Sequence, residues 1–270
     1  MSAVRAGSAV PGVVASVLAP NPGPMTLQGT NSWVLGDPAL GPVVVVDPGP
    51  EDDGHLTRVL EAAGGRVVTV LLTHRHLDHS AGAATFAARA GCGVRAVDPA
   101  WRVGDDGLDD GTVIEAAGVR LEVLATPGHT SDSVSLLATY AEDGVPRVDL
   151  LTGDTVLGFG STVITHPDGD LGAYLDSLDR LLGVVDDRGV TRILPGHGPV
   201  VADPEGVLTG YRTHRRERLA QVRAALAAGA RTPEEVLAAV YPDSVGTPIE
   251  GAALQSVRAQ LDHLDAHRQH

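Results

Sequence analysis

The chain has 270 residues, 43% of them hydrophobic, enough to bury a sizeable core and to exclude an intrinsically disordered protein. Only 3% are aromatic, so the core must be built from Ala, Val and Leu, and base-stacking platforms for RNA or single strands are scarce. All 20 basic residues are Arg against 34 acidic ones, a net charge of −14 that excludes an unaided binder of nucleic acid or membrane surfaces. The single cysteine, Cys92, rules out a disulfide framework and a thiolate-rich zinc knuckle. No apolar run is long enough to span a bilayer. The stretch Ala9-Val10-Pro11-Gly12-Val13-Val14-Ala15 is interrupted by Pro and Gly, so it reads as part of an intact cytoplasmic chain rather than a signal peptide.

In chain order, β-branched runs bounded by Gly, Pro and Asp predict strands over 13–18, 32–35, 43–46, 67–72, 94–97, 119–124, 133–137, 149–151 and 192–194. Helices are predicted over 52–63, 80–90 and 171–183, the last carrying Leu171, Leu175, Leu178 and Leu182 on one face behind Asp168 and Asp170. Such alternation predicts an α/β layered domain over 1–204. From 205 to 270 the pattern becomes helical: 205–228, 233–240 (Thr232 cap, Pro233 in the first turn) and 250–266. This tail carries 8 acidic and 8 basic residues, so the whole net charge falls on 1–204. Leu208, Tyr211, Arg215, Leu219, Val222 and Leu226 share one stripe of its first helix, apolar apart from Arg215.

The chemistry concentrates where strands end. Leu71-Leu72-Thr73-His74-Arg75-His76-Leu77-Asp78-His79 places four potential ligands within six residues. Alternate residues leaving a strand project the same way, so His74 and His76 can grip one ion; after the turn, Asp78 and His79 can face a second. Three later strand ends add Gly128-His129, Gly153-Asp154 and Gly196-His197, each a ligand type beside a glycine. The histidines His55, His166, His214, His263, His267 and His270 are expected to be structural or solvated, as metal sites close on few ligands. The Arg212, Arg215, Arg216, Arg218 and Arg223 cluster reads as a solvated helix face with local ion pairs, a nucleic-acid contact being the alternative; Cys92 reads as a packing residue, and Trp33 and Trp101 as packing or substrate-groove residues.

These strings resemble the metallo-β-lactamase superfamily. The resemblance implies a four-layer αβ/βα sandwich with a binuclear metal site: His74, His76 and His129 on one ion, Asp78, His79 and His197 on the other, Asp154 bridging. Asp154 stands where antibiotic-degrading members use Cys, which points to the thioesterase and nuclease branches instead. A narrower resemblance, to the β-lactamase-like protein 2 family with its endoribonuclease members, rests on Asn21-Pro22-Gly23-Pro24-Met25-Thr26-Leu27-Gln28-Gly29-Thr30-Asn31, on Gly153–Gly158 and Pro195–Pro199, and on Tyr211, His214-Arg215 and Glu217 opening a winged-helix-like tail. Arg75 departs from it, since many members carry an aromatic residue there.

The expected activity is hydrolysis by a hydroxide bridging two divalent cations, zinc being the expected metal, with Asp78 orienting the attack and Ser131, Asp132 and Ser133 fixing ligand tautomers. By family resemblance the first expected substrate is short single-stranded RNA. The alternative is a small thioester or acyl compound, as for glyoxalase II or acyl-carrier thioesterases. The glutathione version is disfavoured by the lack of Lys and by Asp132-Ser133 in place of a Gly-His pair, and the stretch between Asp154 and His197 lacks the large insertion of some RNA-processing relatives. A third reading is a non-enzymatic, metal-stabilised interaction module. DNA binding is not expected; the tail is expected to be a pocket wall or homodimer surface.

Overall fold

The computed structural model describes residues 13–267; the apolar run at 9–15 lies largely outside them. Among the described residues, ten strands form two five-stranded sheets. The first has the order β1 (Val14–Leu18), β2 (Asn31–Leu35), β3 (Val43–Val46), β4 (Val67–Leu71), β5 (Gly93–Arg95). The second runs β10 (Arg192–Pro195), β9 (Val145–Gly153), β8 (Val134–Glu142), β7 (Val119–Ala125), β6 (Val113–Ala116). Helices α1 (Asp53–Ala62), α2 (Leu77–Ser80) and α3 (Ala83–Ala90) belong to the first half. Helices α4 (Leu171–Arg188), α5 (Pro204–Ala227), α6 (Pro233–Val240) and α7 (Glu250–Ala266) belong to the second.

The period-two alternation of the strands creates the layers. Val44 and Val46 join Leu136, Ala138 and Leu151 in a core between the sheets. Their neighbours Val43 and Val45 point the other way, to Leu56, Val59 and Phe86 of α1 and α3. Leu137, Leu150 and Ile193 meet Leu171, Tyr174, Leu178 and residues of α5 to α7 on the outer face of the second sheet. Both faces of both sheets are covered, giving four layers, α/β/β/α. The tail helices pack into a core that includes α4; among the described residues, 204–267 contains no strand. Among the described residues, no helix is long and apolar enough to cross a membrane.

Three differences from the predicted elements have local causes. The hairpin β8–β9 is far longer than 133–137 and 149–151, turning through Asp143 (φ 50°) and Gly144 (φ 76°), the left-handed pair that two-residue hairpins require. Strand β6 was not expected: its turn to β7 opens with Ala117 (φ 48°), a residue that carries no turn signal. Helix α4 continues through Gly183 and stops at Gly189, the left-handed cap.

His55 is fully buried in α1, its Nε2 2.9 Å from Ser32 Oγ. Burial lowers its pKa from 6.5 to about 4, with Arg58 adding to the effect. Between those two pH values the unfolded chain binds a proton that the folded one refuses, so stability falls as pH drops from 6.5, by about 3 kcal/mol at pH 4. Urea unfolding of wild type and His55→Asn across this range should give a shallower pH slope for the variant; parallel slopes would refute it.

Candidate metal centre

Strand direction gathers the ligands. β7 and β9 both run antiparallel to β8, and β10 runs parallel to β9, so three strands of the second sheet end at one edge. There they deliver His129, Asp154 and His197. The first sheet meets that edge with the end of β4 and the short helix α2, which carry His74, His76, Asp78 and His79. All seven predicted residues come together. Their donor atoms form three overlapping groups, each with donors within 4.8 Å of one another: His74, His76 and His129; His74, His79 and Asp154; Asp78, His79 and His197. Gly196 permits the close approach, since a Cβ there would lie 2.6 Å from both Asp154 Oδ1 and His79 Cε1.

The ring tautomers follow from the acceptors behind them. His129 Nδ1 donates to Val163 O (2.6 Å), His197 Nδ1 to Gly29 O (3.1 Å) and His79 Nδ1 to Asp47 Oδ2 (2.8 Å). Thr73 Oγ1 donates to Asp47 Oδ2 (2.6 Å) and so accepts from His74 Nδ1 (3.1 Å). The inward nitrogens of His74 and His129 therefore present lone pairs, and those of His79 and His197 are left to take a proton or a metal ion. His74 Nε2 and His129 Nε2 each lie 3.0 Å from His76 Nδ1, and His79 Nε2 faces His197 Nε2 at 3.2 Å. Lone pairs so arranged repel unless a cation sits among them. Asp154 lies between the groups, with Oδ2 3.8 Å from His129 Nε2 and 3.4 Å from His197 Nε2. Its Oδ1 is buried without a hydrogen bond, 3.4 Å from His79 Nε2. An orphaned carboxylate oxygen beside outward-locked imidazoles fits divalent metal.

The electrostatics agree. Burial holds His74 well below its usual range and His129 down at about 4, so both stay neutral ligands. Burial also opposes charge on His197, but Asp154 and Asp78 overcome it and push the ring up to about 9. Against its own burial, Asp154 is held well below the carboxylate range by His197 and His79. One half of the site is neutral imidazole; the other demands positive charge.

Other expectations change. Ser131 bonds Asp168 and Ser133 bonds Thr130, so neither fixes a ligand ring, and Asp132 Oδ1 is buried without a partner. The positioning residue is Asp47, which sequence reasoning missed although it follows the all-valine β3 and precedes Pro48-Gly49, the same strand-end pattern as the ligands. The 21–31 string has two parts: Pro24, Met25 and Leu27 line a cavity beside His129, and the rest is structural. Asn31 Nδ2 donates to Pro195 O (3.1 Å) and Gly198 O (2.8 Å), and Gly29 O holds His197, so this loop straps the last candidate ligand in place. Trp33 packs between the sheets with Nε1 donating to Pro195 O (3.1 Å).

Beside His129 and Asp154 opens a cavity of about 330 Å³. Leu27, Leu157, Phe159, Val163, Ile249 and Ala253 give it apolar walls, and α5 contributes His214, Arg215 and Arg218. The arginine cluster thus divides. Arg212 pairs with Asp179 at 2.7 Å on the outside, while Arg215 and Arg218 turn inward.

Comparisons with known proteins agree with this geometry. Residues 25–197 match the metallo-beta-lactamase superfamily. The chain is 32% identical to a beta-lactamase-like protein 2 homolog of Caenorhabditis elegans, covering 93% of this chain and 83% of that one. It is 31% identical to an atrochrysone carboxyl ACP thioesterase of Aspergillus chevalieri, covering 92% and 80%. The fold matches the crystal structure of a metallo-beta-lactamase family protein from Thermus thermophilus with a TM-score of 0.76 at 24% identity, over 96% of this chain and 95% of that one. Strand ends, ligand order and whole-length kinship lead to one conclusion: the chain belongs to the metallo-beta-lactamase superfamily of metal-dependent hydrolases, with the beta-lactamase-like protein 2 homologues among its relatives.

Proposed function

We propose that the protein hydrolyses a thioester or related acyl ester at a centre of two zinc ions. His74, His76 and His129 would hold one ion, Asp78, His79 and His197 the other, and Asp154 both. Cations bound there supply Lewis-acid polarisation of the substrate oxygen and acidify water. The protein's own part is orientation. Asp47, Val163 O and Gly29 O lock the imidazoles. Asp78, on the open side with Oδ2 3.0 Å from His197 Nε2, is held ionised by His79 and His197 despite burial and orients the attacking oxygen. Residues 205–270 act as a small domain closing the substrate cavity.

The observation that carries this reading is the apolar cavity opening on His129 and Asp154. Its size and apolar walls suit a small acyl group. A chain of net charge −14 with few aromatic residues is a poor match to a polynucleotide. The thioesterase among its relatives supports the same choice.

The test is turnover of a thioester panel and of single-stranded RNA by zinc-loaded protein, with Asp154→Ala as the blank. Thioester hydrolysis that the blank lacks, with RNA intact, is the expected result. RNA cleavage without thioester turnover overturns the substrate assignment.

A further inference from the structure

Arg215 is the odd member of an otherwise apolar stripe, and the structure buries it: it is 2% exposed, within the wall of the cavity that contains His129 and Asp154. Its Nη2 donates to Thr162 O, and its guanidinium stands 5.2 Å from the centre of the Tyr174 ring. Neither partner is an anion. Nε is buried with no hydrogen bond at all. Among the described residues no carboxylate forms an ion pair with Arg215, nor with Arg218, which lines the same cavity. Arg218 spends its donors on His214 Nε2, Gln221 Oε1 and Val240 O and lies over the Tyr241 ring. In a protein with 34 acidic side chains, two arginines left without one inside a cavity are a conspicuous choice. A buried guanidinium calls for a counter-anion. Asp154, the carboxylate of this cavity, faces the imidazoles of the metal centre instead.

We propose that the missing counter-anion arrives with the substrate: Arg215 binds a carboxylate or phosphate group carried by the acyl compound, making it a specificity-determining residue. The position suits this role. Arg215 donates to the carbonyl of Thr162, whose hydroxyl lies 3.2 Å from His129 Nδ1, so the anion site and the metal centre are one residue apart. An anion held on Arg215 leaves the apolar walls at Leu157, Phe159 and Ile249 for the rest of the molecule. This inference rests on the acyl-ester reading for its turnover test but not for its binding test.

Two matched pairs separate the sources of the anion. Glutaryl and pentanoyl thioesters of N-acetylcysteamine differ by a carboxylate on the acyl side; pentanoyl thioesters of 4′-phosphopantetheine and pantetheine differ by a phosphate on the thiol side. Zinc-loaded wild type is expected to prefer the charged member of one pair at least 10-fold in kcat/KM. Arg215→Met should bring that ratio to near one, and Arg215→Lys should keep an intermediate value. Titration calorimetry with glutarate and with 4′-phosphopantetheine gives the second readout, with affinity for one of them falling at least 10-fold in Arg215→Met. A wild-type ratio near one in both pairs overturns the inference, as does equal affinity in wild type and variant. Should Arg215→Met not fold, the wild-type ratio and Arg215→Lys decide. If no thioester is turned over, the acyl-ester reading falls, and calorimetry alone judges the anion site.

Discussion

Asp154→Asn is expected to lower hydrolysis by roughly 10³-fold, the several kcal/mol that metal contributes to transition-state charge, and to lower bound metal in the same protein. The carboxylate lies between the two halves of the imidazole set, 3.4 Å from both His79 Nε2 and His197 Nε2 and 3.8 Å from His129 Nε2. An amide of the same shape keeps the packing but removes the negative charge and turns an N–H towards nitrogen lone pairs or the ion. Elemental analysis after dialysis, beside a turnover assay, checks both parts. A variant with full metal content and full rate would show that Asp154 is not a ligand.

The second large effect is expected at Asp47, which holds the His79 ring from behind. Its two oxygens take Thr73 N (2.8 Å), Thr73 Oγ1 (2.6 Å) and His79 Nδ1 (2.8 Å), and through Thr73 it also sets His74. Asp47→Ala strands these buried donors, at ~1–3 kcal/mol each, and places alanine at φ 50°, a further ~1 kcal/mol. Several kcal/mol of stability should be lost in denaturant unfolding. Asp47→Asn is the sharper probe. It keeps an acceptor for Thr73 N yet no longer fixes both imidazoles, so metal affinity should fall 10–100-fold with far less loss of stability. Competition with a chromophoric chelator reads the affinity. Equal affinities for wild type and Asp47→Asn would remove Asp47 from the site.

Much of this was legible in the sequence because the fold uses local rules. Strand β3 and helix α6 fall where pattern and caps put them, since the valine run and the Thr232 box leave little choice, and α7 falls where it was expected without a side-chain cap. The convergence of the seven side chains was legible because each one beyond the first string sits beside a glycine at a strand end. What failed was non-local. Asp47 speaks to Thr73 and His79 across a parallel strand pair, a relation that no spacing encodes. Ser131 and Ser133 were attractive only through nearness in sequence to His129. Arg215 looked like part of a solvated face because its burial depends on Thr162 and Tyr174, which belong to other elements. The halted helix at 183 has a different cause: glycine marks a stop only when the backbone turns left-handed, as at Gly189 and not at Gly183.

The strap from Asn21 to Asn31 has a consequence for synthesis. It holds the loop of His197, a residue that leaves the ribosome long after the strap itself, so the earliest and latest parts of the catalytic half must find each other before the last imidazole is seated. Such wide loop closure is slow relative to local pairing. A nascent chain halted short of β10 has His74, His76 and His129 but lacks His197, so for the proposed ligand set the second half of the centre assembles only after both ends of the chain have docked.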